Sequence, residues 1–386
     1  MRLLTISLYR HKKPFKLSFQ SAHMLRAHSE SVLVRLHFDN AVVGYGESAP
    51  RPYVTGENLS TVTRLVEDCF APLLLGRDFD SLEHVEGSLQ DLENACLRNK
   101  IHHYQSALGS IDIALLDALG KLHQVPVGNL IGPDTGREVP LSISVPFLPV
   151  KRIKALFPQF CHYYKFQYVK VLVGNDMGAN EERVALIRSL FGEETDLRIE
   201  ANGKWHFEEA VSNLSRLKPY RISAVEQPLD KENVVGLRRL RRQTAVPIIA
   251  DESVCSLSDA RTLLQSEACD MFNIKISKCG GLLRSKRIVD FALSQNVPCQ
   301  LGSHVGETEI LTAAAKHFLM TVTNLLCFEG LSHLLFQNLQ GEPQAREMGE
   351  INRGALGSGW GLGVSPERFL NQDCSSPVEL RTSRTI

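Results

Sequence analysis

The sequence predicts an α/β protein: a parallel barrel of alternating strands and helices, with an α+β module before it and a tail after it. Three observations carry this. Short apolar runs ending at Glu200, Glu226, Asp251 and Lys275 recur at intervals of 26, 25 and 24 residues, and each gap has room for a helix and two turns. Residues before about 125 follow a different pattern, with alternating strand-like runs and long helical stripes. After Gly354 the strand–helix rhythm stops in a glycine-rich tail.

In chain order, Ser31 to Phe38 alternates as a half-buried antiparallel strand should, Asp39-Asn40 turns, and Val42 to Glu47 returns. Helical patterns follow over Thr61 to Leu75 and Tyr104 to Leu122. In the second, Ala107, Ile111, Ala114, Leu115, Ala118 and Leu119 form one apolar stripe. This is the α+β domain, residues 1–125. Residues 126–353 then supply eight strands: Leu141 to Val145, Tyr168 to Val173, the four runs already named, Pro298 to Leu301 and Leu325 to Phe328. Eight strands with helices between them make a TIM (β/α) barrel. The helices fall at Glu181 to Leu190, Phe207 to Leu217, Leu257 to Leu264, Leu283 to Leu293 and Ile310 to Phe318, the third opened by a capping signal over Ser256 to Asp259. Residues 354–386 are expected to return to the first domain, with those from Cys374 frayed.

Composition excludes several function classes. A chain of 386 residues, 43% hydrophobic and 22% charged, can bury a large core in two domains. A formal net charge of +0 gives no footprint for nucleic acid or for a membrane surface. The clusters Lys12-Lys13 and Arg238-Arg239 with Arg241-Arg242 read as solvated surface. The nine cysteines are scattered and never form Cys-x-x-Cys, which suits reduced thiols and a cytoplasmic protein. No signal-like segment opens the chain, and no apolar run of 18 residues follows.

The chemistry lies at the strand ends. In such barrels the catalytic residues project from the C-terminal ends of several strands. Glu200, Glu226 and Asp251 therefore crowd one mouth, and crowded carboxylates need a cation. Hard oxygen donors without Cys or His favour Mg²⁺, or Mn²⁺, over zinc. Lys275 ends the next strand, where desolvation and a neighbouring cation would lower its pKa and make it a usable base. Asn202 adds an amide at the same rim. Lys278 reads as a turn or interface residue. Gly280-Gly281 lets backbone approach something closely, such as a carboxylate at the next helix N-terminus.

Lys170 to Gly174, Glu200 to Trp205, Val225 to Leu229, Ala250 to Ser253 and Asn273 to Gly281 together resemble the enolase superfamily, and within it the muconate-lactonizing-enzyme subgroup. Gly44 to Pro50 and Ser110 to Lys121 resemble that family's capping domain. The resemblance spans almost the whole chain. It implies a modified barrel, Mg²⁺ held by Glu200, Glu226 and Asp251, and a small carboxylate substrate whose α-proton leaves to form a metal-stabilised enediolate. It also implies a homo-oligomer. Lys170 matches a family lysine beside the substrate carboxylate.

One departure decides the expected reaction. The family carries Lys-x-Lys at the second strand, its second lysine an acid/base. Here the third residue is Leu172, which shares a face with Lys170 and takes no proton. With Lys275 alone, only one face of an enolate is served. The expectation is therefore a one-base lyase or cycloisomerase, like o-succinylbenzoate synthase or muconate cycloisomerase. The alternatives are an amino-acid or dipeptide racemase or epimerase, and a catalytically silent carboxylate-binding barrel. His304 follows strand seven as a rim residue or hydrogen-bonding partner, and Glu307 resembles a family acid that orients substrate or lysine. Substrate choice falls to the stretch Leu17 to His23, to Arg51 and Tyr53 as readers of a second polar or anionic group, and to strand eight, where Phe328-Glu329-Gly330 does not match the Asp-x-Asp of dipeptide epimerases and so weakens that alternative. Glu329 reads as a binder of a cationic group or as a rim salt-bridge partner.

Overall fold

The computed structural model describes residues 1–20, 25–163, 166–323, 325–330 and 359–382. Two sheets organise them. Strands β1 (Leu3–Gln20), β2 (Leu25–Phe38) and β3 (Val43–Ser48) form an antiparallel sheet with β12 (Val378–Arg381), in the order β12-β1-β2-β3. The second sheet is parallel and runs in sequence order: β4 (Ser142–Val145), β5 (Tyr168–Leu172), β6 (Asp196–Glu200), β7 (Ala224–Glu226), β8 (Ile248–Ala250), β9 (Met271–Ile274), β10 (Cys299–Gly302) and β11 (Leu325–Glu329). Leu141 bridges Phe328 in parallel and Phe328 N donates to Pro140 O at 2.8 Å, which joins β11 back to β4. The result is a modified TIM barrel with an α+β capping domain completed by the tail.

Alternation along β5 sorts its side chains. Val169, Val171 and Val173 belong to the apolar core, while Lys170 and Leu172 on the other face do not. The barrel thus packs its outer faces on helices and keeps a polar interior at the mouth.

Several elements depart from the sequence reading. β1 runs for 18 residues through Lys12, Lys13 and Pro14, where two charges and a proline hide its alternation. Helices over Leu82–Arg98, Val150–Tyr163 and Val234–Thr244 were not marked by the apolar pattern. The last of these carries the arginine cluster, with Arg241 Nε donating to Asp270 at 2.7 Å. The residues from Cys374 are not all frayed, because β12 pairs along β1 from Leu8↔Val378 to Thr5↔Arg381. An edge strand with unpaired backbone groups is the natural partner for such a segment. The expected boundary between residues 353 and 354 lies outside the described residues.

Buried carboxylates join the two domains. Glu47 on β3 accepts from Thr308 N at 3.0 Å, Thr308 Oγ1 at 2.7 Å and Leu311 N at 3.2 Å, and so caps the Glu309–Thr321 helix of the barrel. Asp112, on the Gln105–His123 helix of the cap, accepts from Leu282 N at 2.5 Å and caps the Leu282–Ser294 helix. Gly281 sits at φ 98, and a Cβ there would strike the Asp112 carboxylate. The carboxylate met by Gly280-Gly281 is thus the protein's own. Asp117 takes Tyr45 N and Leu362 N, each at 2.8 Å, fastening the tail to the cap helix.

Candidate active site

The strand ends meet as their positions dictate. Glu200, Glu226 and Glu329 are the last residues of β6, β7 and β11, and Asp251 and Lys275 come immediately after β8 and β9. In register, Leu172 lies beside Glu200, and Glu200 beside Glu226. All of these residues except Glu329, which is half-buried, are buried.

Lys170 lies among three of the acids. Its Nζ is 2.9 Å from Glu200 Oε2, 3.0 Å from Glu226 Oε1 and 2.6 Å from Glu329 Oε2. Burial alone would lower its pKa, but the charges of Glu200, Glu226 and Glu329 outweigh burial and hold the ammonium well above the ordinary lysine value. Glu226 also accepts from Asn273 Nδ2 at 2.7 Å and Gln300 Nε2 at 2.8 Å, and Gln300 Oε1 takes Arg198 Nη1 at 2.6 Å. Glu329 further accepts from Ser142 Oγ at 3.2 Å. Its place beside Lys170 gives it an internal partner.

Lys275 has different company. Its Nζ is 2.5 Å from Asp251 Oδ2. Burial again opposes the charge, yet Asp251, Glu200 and Glu226 raise its pKa. This differs from the lowered pKa expected of a base beside a bound cation, because here the neighbours are acids. Lys278 is a buried turn residue rather than an interface residue. Its Nζ lies 3.1 Å from Asp251 Oδ1 and donates to the carbonyls of Asp251 and Val254. Gln227, at φ 36, holds the turn after β8 by accepting from Asp251 N at 3.0 Å and Ser253 N at 3.2 Å.

That turn brings in a residue the sequence reading missed. One carboxylate oxygen from each of Glu200, Asp251 and Glu252 lies within 4.8 Å of the others. Glu252 is buried, its Oε2 has no hydrogen-bond partner among the described residues, and burial and then Asp251 push its carboxyl up to about 8. Consecutive residues on a strand would face opposite ways, so Asp251-Glu252 gave no sign of a pair until the turn was seen. A set of hard oxygens with one buried and unpartnered suits a divalent cation.

The rim residues are also fixed. Asn202, at φ 48, donates from Nδ2 to Glu200. Arg51 is buried and donates to Pro50 O and Val305 O, both at 2.7 Å. Tyr53 stands nearby with its pKa raised by burial against the charges of Arg51 and Lys275. His304 is 3% exposed, with Nδ1 2.9 Å from Ala49 O, and its backbone N donates to Glu307 Oε1 at 2.6 Å. Burial, with the charges of Arg51 and Lys275, holds the His304 pKa well below the ordinary value. Glu307 thus fixes its own turn. Of Leu17 to His23, residues 17–20 extend β1 and residues 21–23 lie outside the described residues.

Among the described residues, no helix is long and apolar enough to cross a membrane, and eight cysteines are free thiols. Residues 154–369 match the family described as enolase C-terminal domain-like, and residues 2–132 match the mandelate racemase/muconate lactonizing enzyme N-terminal domain. The L-Ala-D/L-Glu epimerase of Bacillus subtilis is 31% identical over 82% of this chain and 83% of its own length. The N-succinyl-L-Arg/Lys racemase of Bacillus cereus is 26% identical over 82% and 84%. A crystal structure of dipeptide epimerase from Cytophaga hutchinsonii, complexed with Mg and the dipeptide D-Ala-L-Val, superposes with a TM-score of 0.79 at 26% identity, over 88% of this chain and 89% of that one. These names favour the racemase or epimerase alternative over the lyase or cycloisomerase that Leu172 had suggested. The chain belongs to the mandelate racemase/muconate lactonizing enzyme subgroup of the enolase superfamily.

Proposed function

We propose that this protein removes the α-proton of a small amino-acid or dipeptide carboxylate, in the racemase or epimerase class, with Lys275 as its lysine base. The observation that carries the reading is the meeting of Lys275 with Glu200, Glu226 and Asp251 at one barrel mouth. Glu200, Glu226 and Asp251 are the proposed ligands of Mg²⁺, with Glu252 beside them. When bound, the cation would offset the acids and draw charge from the substrate carboxylate, whose α-proton is otherwise very weakly acidic. Lys170 stays an ammonium, locked by three carboxylates, and supplies fixed positive charge at the same carboxylate. Asn202 keeps Glu200 oriented. Arg51 has no acid as a hydrogen-bond partner among the described residues, so its charge suits a second anionic group on the substrate, with Tyr53 beside it. Glu307 supports the turn that presents His304.

A second reading rests on Leu172. It is buried on the polar face of β5, where the family resemblance calls for a lysine, and it leaves one side of the reacting carbon without that acid/base. That favours one-sided chemistry, as in elimination or cycloisomerisation. Incubating L-Ala-L-Glu and N-succinyl amino acids with Mg²⁺ in D₂O separates the readings by NMR. Exchange with inversion is expected of the epimerase. Exchange without inversion, or loss of water, selects the one-sided reading. No exchange with any acid removes both and leaves a silent barrel.

A further inference from the structure

We propose that His304 Nε2 is a hydrogen-bond acceptor for an N–H of the substrate, so that this site selects substrates with an amide or amine donor near the reacting carbon. The inference rests on the amino-acid or dipeptide reading above and names what recognises its nitrogen. The argument starts from the other ring nitrogen. His304 Nδ1 is 2.9 Å from the carbonyl oxygen of Ala49, and a carbonyl only accepts. Nδ1 must therefore carry the proton. The ring is kept neutral, because imidazolium would be desolvated beside Arg51 and Lys275. A neutral ring protonated at Nδ1 leaves Nε2 as a bare acceptor.

That acceptor is buried and unmatched. His304 is 3% exposed, and Nε2 has no hydrogen-bond partner among the described residues. Buried polar atoms are rarely left unpaired, and those that are commonly await a ligand or water. The surroundings indicate which ligand. The charges that act most strongly on the ring are those of Arg51 and Lys275, both cations, with Asp251 opposing them more weakly, so the surroundings favour a carboxylate. What the pocket otherwise lacks at this spot is an acceptor for a donor on the same molecule. A carboxylate substrate with a neighbouring N–H presents both.

The anchoring also argues against His304 as a general base. A base that becomes imidazolium is helped by an acid at its other nitrogen. Ala49 O offers no charge, and the cations nearby oppose one. The carbonyl comes from the cap and the imidazole from the barrel, so the seam between domains fixes the tautomer.

Two measurements test this. In ¹⁵N NMR of the histidine-labelled full chain, His304 should show a protonated Nδ1 and an unprotonated Nε2. A protonated Nε2 overturns the inference whatever the substrate proves to be. Asn can replace the Nδ1 donor to Ala49 but has nothing at the Nε2 position, so H304N keeps the seam and removes the acceptor. With L-Ala-L-Glu as probe, H304N should raise KM about tenfold with kcat changed less, while leaving the thermal midpoint in place. H304Q, which offers an oxygen near the Nε2 position, should recover part of that loss. With the N-methylated dipeptide, wild type and H304N should bind alike. Equal KM values for wild type and H304N on the parent dipeptide sink the proposal. If no amino acid or dipeptide binds the wild type, the functional reading fails with it, even where the tautomer is as expected.

Discussion

Two lysines serve the barrel mouth from β5 and from the end of β9, and they keep different company. Lys170 has three carboxylates within ion-pair distance, whereas Lys275 has one. Both are raised by acids against the pull of burial. The difference lies in what would release each. Asp251 is the single ion-pair partner of Lys275 among the described residues, so a cation taken up by Asp251 loosens that lysine. Lys170 would keep Glu329 even if Glu200 and Glu226 turned to a cation. On the proposed reading, the Lys275 side would give up a proton once a cation is bound, and the Lys170 side would hold one. Leu172, two residues beyond Lys170, extends the contrast by adding an apolar side chain on the fixed side.

The largest effect should come from the releasable side. Lys275→Ala should lower α-proton exchange, read by ¹H NMR in D₂O, by at least about 10²–10⁴-fold. Its fold should hold, since Lys278 and Gln227 keep Asp251 in place without it. Exchange at the wild-type rate would remove Lys275 from the chemistry. On the fixed side, Leu172→Lys should bring inversion of the exchanged centre, followed by polarimetry, if a missing second acid/base is what limits the wild type. A variant that exchanges and inverts no differently from wild type would show that this face is served elsewhere.

Lys170→Met probes the fixed side through stability. Removing one partner of a buried ion cluster costs about 3–5 kcal/mol. In urea with EDTA the variant should lose roughly that much, and Mg²⁺ should return part of it by pairing the exposed acids. A loss that Mg²⁺ does not reduce would mean the acids and the cation do not share a site.

Much of this contrast was legible in the chain. The interval between Glu200, Glu226, Asp251 and Lys275 placed four strand ends because a βα unit has a nearly constant length. The period of 2 along β5 put Leu172 on the face of Lys170. What stayed hidden depended on turns and on distant partners. Glu252 joins the acid cluster only through the turn that Gln227 holds. Glu329 read as a contact for a cationic group or as a salt-bridge partner, and nothing local announces that its partner is the lysine on β5. β1 was obscured because its charged and proline residues break the alternation that marks a strand.

The smallest effect belongs to the seam, which should move stability without touching the two lysines. Burial, opposed in part by Arg284, pushes the Asp112 carboxyl up to about 7 from its ordinary value of 3.8. Between those values the folded protein holds a proton that the unfolded chain releases. The contribution is therefore complete below about pH 4 and is lost as pH rises through about 7. From pH 5 to pH 8, wild type should lose on the order of 2 kcal/mol through this group, measured by urea unfolding. Asp112→Asn carries no proton to lose, and its amide oxygen can still cap Leu282 N. Its stability should fall less over the same range. The difference between the two slopes is the quantity to read, because Glu57, likewise pushed by burial to about 7, titrates in both proteins. Parallel slopes would mean that the two backbone N–H groups at the helix end keep Asp112 ionised, and that the seam is an ionic cap at all working pH values.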